Sequence, residues 1–172
     1  MQDWLRLIPF SAALAALFVA GALSVQNAKA EKIWNWRYTG SNIAASGTFT
    51  TSEDMDSQGF YQISSIAGHR NGELITRLRR TGSSIPGNEP YVLDNLIRVG
   101  ASGQITMHGF GFSTVSGNYA NPFFADFLVP PVYMEVFTTT STYSELPITF
   151  SATPMVEPEI KVELPAVGSG KD

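Results

Sequence analysis

The chain contains no cysteine in its 172 residues. Disulfide bonds, thiolate nucleophiles, thiolate metal ligands and lipid attachment to a cysteine are therefore excluded. Histidine is also scarce, because only His69 and His108 occur. A histidine-based metal site or a catalytic triad would have to use one of these two side chains.

Charged residues are few, at 15% of the chain, and acidic residues outnumber basic ones by 15 to 11. The net charge of −4 argues against nucleic acid as a partner, because phosphate backbones require a basic face. Hydrophobic residues make up 44% of the sequence and aromatic residues 12%. This composition predicts a folded chain with a core rather than a disordered one.

Residues 1–30 have the three parts of a secretory signal peptide. Residues 1–6 include one arginine, residues 7–25 are apolar, and Ala28-Lys29-Ala30 is a cleavage pattern with small side chains at its first and third positions. An uncleaved membrane anchor is the alternative, since the apolar run is just long enough to span a bilayer. We predict cleavage after Ala30 and export to the periplasm, the cell surface or the extracellular space.

The remaining sequence alternates polar and apolar side chains, which indicates β-strands, and no helical stripe follows residue 30. Strands are predicted at residues 33–39, 43–51, 60–66, 74–79, 91–99, 104–114, 132–138 and 147–153, and turns or loops at 53–59, 71–72, 81–90 and 116–124. The expected fold is all-β: an antiparallel β-sandwich, jelly-roll-like or Ig-like, of about eight strands over residues 31–153. Residues 154–172 are expected to be a flexible tail without a membrane span.

Six short stretches follow one another through this domain: Ser46-Gly47-Thr48-Phe49-Thr50-Thr51, Arg70-Asn71-Gly72, Ile85-Pro86-Gly87-Asn88, Asp94-Asn95-Leu96-Ile97, Gly109-Phe110-Gly111-Phe112 and Tyr119-Ala120-Asn121-Pro122-Phe123-Phe124. Through them the chain resembles the secreted β domains of unknown function that precede PEP-CTERM sorting signals in bacteria. The resemblance implies a secreted bacterial protein and supplies no catalytic residues. The sorting tail is degenerate, because Val156-Glu157-Pro158 keeps only the Glu-Pro half of the signal and no apolar span or basic cluster follows.

Carboxylates cluster in one predicted loop, where Glu53, Asp54 and Asp56 precede Gly59. Hard oxygen ligands at alternating positions before a turn suit calcium, so Asp54 and Asp56 are calcium candidates. A solvated loop is the alternative, since the twelfth-position glutamate of a calcium loop is missing. No other cofactor is predicted.

A hydrolase would need two groups that the sequence keeps apart. Paired carboxylates drawn from Glu89, Asp94 and Asp126 could cleave a glycosidic bond, but turn chemistry is the simpler reading of each. His69 lies beside a predicted turn and is expected to be solvated. His108 is expected to share a face with Phe110 and to be a core or edge histidine.

Aromatic side chains supply the candidates for ligand binding. Trp34, Trp36 and Tyr38 alternate along one predicted strand, and if exposed they would stack on sugar rings. Burial in the core is the favoured reading of such a stripe. Tyr119 lies with Phe123 and Phe124 in the predicted turn-rich stretch and is the other aromatic ligand candidate.

These observations predict a non-enzymatic secreted protein of the cell envelope or extracellular matrix. A carbohydrate-binding module for exopolysaccharide is the alternative, and an unrecognised hydrolase is the least favoured class. The expected partners are cell-surface polysaccharide or envelope proteins. Exposure of the Trp34, Trp36 and Tyr38 face would favour polysaccharide, whereas a pocket joining two acids, or an acid and His108, would favour the hydrolase.

Overall fold

The computed structural model describes residues 31–155, and these residues form nine β-strands. The strands are β1 (Glu31–Gly40), β2 (Ile43–Met55), β3 (Tyr61–Arg70), β4 (Glu73–Leu78), β5 (Leu96–Ile97), β6 (Phe112–Thr114), β7 (Tyr119–Ala125), β8 (Val132–Thr138) and β9 (Tyr143–Pro154). No α-helix occurs in this part of the chain, and so it contains none that could cross a membrane. The predicted signal peptide and residues 156–172 of the predicted tail lie outside the described residues.

The strands form a closed antiparallel barrel. Eight of them pair in the order β2-β1-β9-β8-β7-β6-β4-β3, and β3 pairs back onto β2, while the short β5 adds to β3 beside β4. The all-β prediction is confirmed, but the sandwich is wrong, because β1 pairs with both β2 and β9 and so closes the sheet on itself. Alternation specifies which face of a strand is buried and is the same in both architectures.

The barrel interior is packed with aromatic rings. Trp36 stacks on Phe49 with ring centroids 5.2 Å apart, and Phe110 meets Phe49 edge-on at 4.8 Å. Trp34 is buried beside them and donates its indole N–H to Thr51 Oγ1 at 3.0 Å. Burying each large apolar side chain stabilises the fold by about 1.5–3 kcal/mol, so this cluster is the main source of barrel stability.

A buried ion pair lies inside the barrel, near the end at which the β1–β2 and β3–β4 turns lie. Arg70 grips Glu135 with two hydrogen bonds, Nε to Oε1 at 2.9 Å and Nη2 to Oε2 at 2.7 Å. Tyr38 donates its hydroxyl to the same carboxylate, and burial together with the Glu135 charge raises the pKa of Tyr38 well above its usual value. The Arg70 guanidinium also lies over the Phe137 ring, 3.6 Å from its centroid. These contacts satisfy a charge that the aromatic interior alone would not tolerate.

Two strands approach each other closely enough to require glycine. Gly47 of β2 pairs with Gly68 of β3, and a Cβ on Gly47 would lie 1.9 Å from the carbonyl oxygen of Ala67. The predicted turn at Asn71 and Gly72 is confirmed, with φ angles of 48° and 79° that suit these two residues.

The stretch predicted to be turn-rich, residues 116–124, instead contains β7. Pro122 is the reason for the wrong prediction, because proline has no backbone N–H to donate to a neighbouring strand and so argues against a strand. In the structure the β6–β7 ladder ends at Ala120, and the carbonyl of Pro122 accepts from Phe110 N on that side. The lack of an N–H on Pro122 therefore costs no ladder hydrogen bond, because the regular pairing of β6 with β7 ends before this residue.

Two other predicted strands are much shorter than expected. Residues 91–99 contribute only β5, and residues 104–114 contribute only β6 and a bridge between Ile105 and Ile97. Gly109 has a φ of 62°, which breaks the alternation before Phe110. As a result Phe110 is buried while His108 is exposed, so the expectation that they share a face is wrong.

The loop between β4 and β5 covers part of the outer wall of the barrel. Ile85 and Leu93 from this loop form a second core with Phe123 and Val136, which point outward from β7 and β8. Thr138 of β8 also donates to the carbonyl of Pro86 at 2.7 Å. This loop is thus a packed second layer over one side of the barrel, and its edge shapes the site described next.

Candidate functional site

A cleft of about 200 Å³ opens on the outer wall, beside the loop between β4 and β5. Asn121, Val136 and Glu145 line it and lie side by side on β7, β8 and β9, since Val136 pairs with Asn121 on one side and Glu145 on the other. Three neighbouring strands therefore supply a rigid wall for the cleft. Its volume is below the range of about 300–1,000 Å³ typical of sites for drug-sized ligands, and it suits a single small ring.

Exposed aromatic and apolar side chains surround this wall. Tyr91 is 69% exposed, Phe127 63% and Tyr143 53%, and Met107 beside them is half-exposed. Tyr91 comes from the loop between β4 and β5, Phe127 from the turn after β7, and Tyr143 from the start of β9. Large rings left in water around one concavity are a typical feature of a binding surface.

Two asparagines form the polar part of the wall. Asn121 donates its side-chain N–H groups to the carbonyls of His108, Phe110 and Pro122 at 3.1–3.3 Å. Its Oδ1 is then an acceptor, and Asn88 donates to it at 3.4 Å. This network fixes the orientation of both amides, and both residues line the cleft, with Asn88 only 6% exposed.

His108 is held on a tight turn at the edge of the cleft. The Thr106 hydroxyl accepts from the backbone N–H groups of His108 and Gly109. His108 Nδ1 lies 2.9 Å from the carbonyl oxygen of Val92. Because a carbonyl can only accept, Nδ1 carries a proton and Nε2 is the acceptor of the neutral ring.

Glu145 is the only acidic residue among those that line the cleft, and Tyr143 is hydrogen-bonded to it. The Tyr143 hydroxyl donates to Glu145 Oε2 at 3.0 Å. Partial burial and the neighbouring carboxylate raise the pKa of Tyr143 to about 12, so this hydroxyl remains protonated at neutral pH. The lining residues include neither Lys nor Arg.

The cleft brings together an acid and His108, which the sequence could not do. Its lining contains no Ser, Thr or Cys nucleophile and no second carboxylate. Glycoside hydrolysis usually requires two carboxyl groups flanking the bond. The cleft therefore holds the acid and His108 that would favour a hydrolase, but not the pair of carboxyl groups that glycoside hydrolysis usually requires.

The aromatic candidates Trp34 and Trp36 lie elsewhere. They are 0% and 2% exposed in the barrel interior, and Tyr38 is 0% exposed, so the favoured reading of this stripe as core is confirmed. The stripe therefore gives no support to polysaccharide binding, and its rings cannot stack on a ligand in the folded state. Tyr119 is half-buried on the outer face of β7 and packs against the second core, with the Arg79 guanidinium 5.2 Å from its ring centroid. None of these aromatic side chains lines the cleft.

The calcium candidates lie at the end of β2 and in the turn that follows it. Asp56 Oδ1 accepts from the backbone N–H groups of Gln58 and Phe60 at 2.8 and 2.9 Å, so this carboxylate caps its own turn. Asp54 is exposed at the end of β2. Within residues 31–155, no group of three or more His, Asp or Glu side chains is placed to hold a metal ion.

The cleft lining does not include His69 or the candidate acids Glu89, Asp94 and Asp126, although Asp94 is close enough to His108 to interact with it electrostatically. Glu89 accepts from Gly87 N, and Asp94 accepts from Thr106 and from Leu96 N. Burial raises the pKa of Asp94. His69 lies exposed on β3, where it pairs with Ser46.

Sequence reasoning missed the aromatic residues of the cleft. Tyr91 and Tyr143 each follow a cluster of turn residues, Gly-Asn-Glu-Pro and Thr-Ser-Thr, and Phe127 follows Asp126. Aromatic residues at such positions are a detectable signal of exposure, but nothing local indicates that the three converge. Comparisons with family models, with curated proteins and with solved structures found no match for this chain.

Proposed function

We propose that this protein is a non-enzymatic carbohydrate-binding protein of the cell envelope or extracellular matrix. The observation that carries the proposal is the cleft of Tyr91, Phe127 and Tyr143 around a polar wall. The signal-peptide pattern of residues 1–30 and the resemblance to secreted β domains support the extracytoplasmic setting.

The combination of groups in the cleft matches the chemistry of a sugar. A sugar ring has an apolar face that packs on aromatic rings and a rim of hydroxyl groups that hydrogen-bond. The exposed carboxylate of Glu145 supplies an acceptor for such hydroxyls at the wall of the cleft. The closed barrel holds the three strands of the wall, β7, β8 and β9, in register. Binding therefore costs little free energy for ordering this wall.

The test is affinity electrophoresis of the exported protein through gels that contain polysaccharides of different charge. Retardation by at least one polysaccharide is expected. Replacing either exposed ring, Tyr91→Ala or Phe127→Ala, should weaken binding about 5- to 30-fold, the equivalent of about 1–2 kcal/mol. Val115→Ala is the control, because Val115 is 65% exposed and lies outside the cleft. Unretarded migration in every gel would overturn the proposal.

A second candidate function is binding to an envelope protein. The aromatic side of the cleft continues along the chain into Leu128 and Val129, of which Val129 is almost fully exposed. Three successive exposed apolar residues are typical of a surface that a protein partner covers. A Val129→Ser variant that keeps polysaccharide binding but loses association with isolated envelopes would favour this function.

A further inference from the structure

We infer that the cleft selects a sugar that carries a free amino group, in preference to a neutral or an acidic sugar. This inference rests on the proposed function and specifies its ligand. Two features of the cleft support it: its polar groups are mostly hydrogen-bond acceptors, and its charge is negative.

The polar groups of the cleft are mostly acceptors. Asn121 has used its N–H groups on three backbone carbonyls, and Asn88, only 6% exposed, donates an N–H to Asn121. The Nδ1–H of His108 is donated to the carbonyl oxygen of Val92, and the hydroxyl of Tyr143 is donated to Glu145. A ligand that satisfies these groups must bring hydrogen-bond donors. An ammonium group brings three and accepts none.

The charge of the cleft points the same way. Glu145 is exposed, and the lining holds no Lys or Arg to neutralise it. A uronic acid would place a second carboxylate beside Glu145, and like charges at an interface disfavour binding. An amino sugar would instead place a cation there.

The rings add a second attraction for a cation. Tyr91, Phe127 and Tyr143 all line the same small cleft, and Tyr91 is near enough to Tyr143 to influence its ionisation. Cations are attracted to the faces of Tyr and Phe rings within about 6 Å. Neutral and N-acetylated sugars gain only packing from these rings. An amino sugar gains both the packing and the attraction of its cation to the rings, at one site.

The inference is tested by calorimetric titration of the exported protein with short oligomers of glucosamine, of N-acetylglucosamine and of galacturonic acid. Glucosamine trimer is expected to bind about tenfold more tightly than its N-acetylated counterpart, and the uronate trimer not measurably. Glu145→Gln should reduce the preference for the amine, measured as the ratio of the two affinities in the same variant, to less than about threefold. Glu53→Gln is the matched control, because Glu53 is an exposed acid on β2 outside the cleft.

Each other outcome has one meaning. Equal binding of the amine and N-acetylated trimers would overturn the inference and leave the proposed function standing. An equal loss in Glu145→Gln and Glu53→Gln would show non-specific attraction to an acidic protein and would also overturn it. Binding of no saccharide at all would overturn the proposed function together with the inference.

Discussion

The buried pair of Arg70 and Glu135 allows a quantitative prediction. In Arg70→Met the Glu135 carboxylate, whose side chain is 0% exposed, would keep Tyr38 as its only side-chain donor. Removing one member of a buried pair costs about 3–5 kcal/mol. A domain of this size has a free energy of unfolding of about 5–15 kcal/mol, so the variant should fold but lose a large part of its stability. The corresponding fall in Tm is about 10–20 °C.

The double variant Arg70→Met/Glu135→Leu removes both charges. Because apolar replacement of a buried pair is often neutral, it should recover part of the loss, reduced by about 1–3 kcal/mol for the buried Tyr38 hydroxyl, which loses its acceptor. Arg37→Met is the control, since Arg37 is exposed on β1 and its substitution should change stability by less than about 0.5 kcal/mol. Denaturant unfolding followed by tryptophan fluorescence measures the parent protein, the two single variants Arg70→Met and Glu135→Leu, the double variant and the control. A loss below about 1 kcal/mol in Arg70→Met, or a double variant as unstable as the sum of the two single ones, would refute the reasoning.

Two further predictions concern the barrel wall and a half-buried acid. Gly47→Ala places a Cβ 1.9 Å from a backbone carbonyl of β3, so it should force β2 and β3 apart and lower stability by about 3 kcal/mol or more, whereas Gly100→Ala, with its nearest neighbour at 3.4 Å, should have little effect in the same melts. Burial raises the pKa of Asp94, so the folded state binds its proton more tightly and the contribution of Asp94 to stability falls as the pH rises above about 3.9. Stability measured from pH 3 to pH 7 should therefore shift in favour of Asp94→Asn relative to the parent protein, and a difference that stays constant over this range would contradict the assignment.

Local patterns in the sequence were sufficient to predict the fold class and most of the strands. Alternation located β1, β8 and much of β9, and Asn71-Gly72 located the β3–β4 turn. These signals depend on side chains only a few residues apart. Closure of the barrel depends on the pairing of β1 with β9, across more than a hundred residues, and no local pattern encodes it.

The candidate site was harder to predict, because it is assembled from separate segments. Tyr91, His108, Phe127 and Glu145 meet only because the loop between β4 and β5 packs across β7 and β8. The rings that are most conspicuous in the sequence, those of Trp34 and Trp36, are buried in the core, as the favoured reading of that stripe predicts. Composition predicts that some aromatic residues are exposed, but only the path of the chain decides which ones.

The pairing of β1 with β9 also constrains when the domain can form. Trp34 and Pro154 are register partners, so the wall around the aromatic interior stays incomplete until the final strand has been synthesised. Up to that moment β1 and β8 each lack a neighbour, and the growing chain has no finished core to protect it. Topologies dominated by such distant pairings fold in about milliseconds to seconds, which is slow on the scale of local structure. The barrel can therefore close only once β9 is available to pair with both β1 and β8.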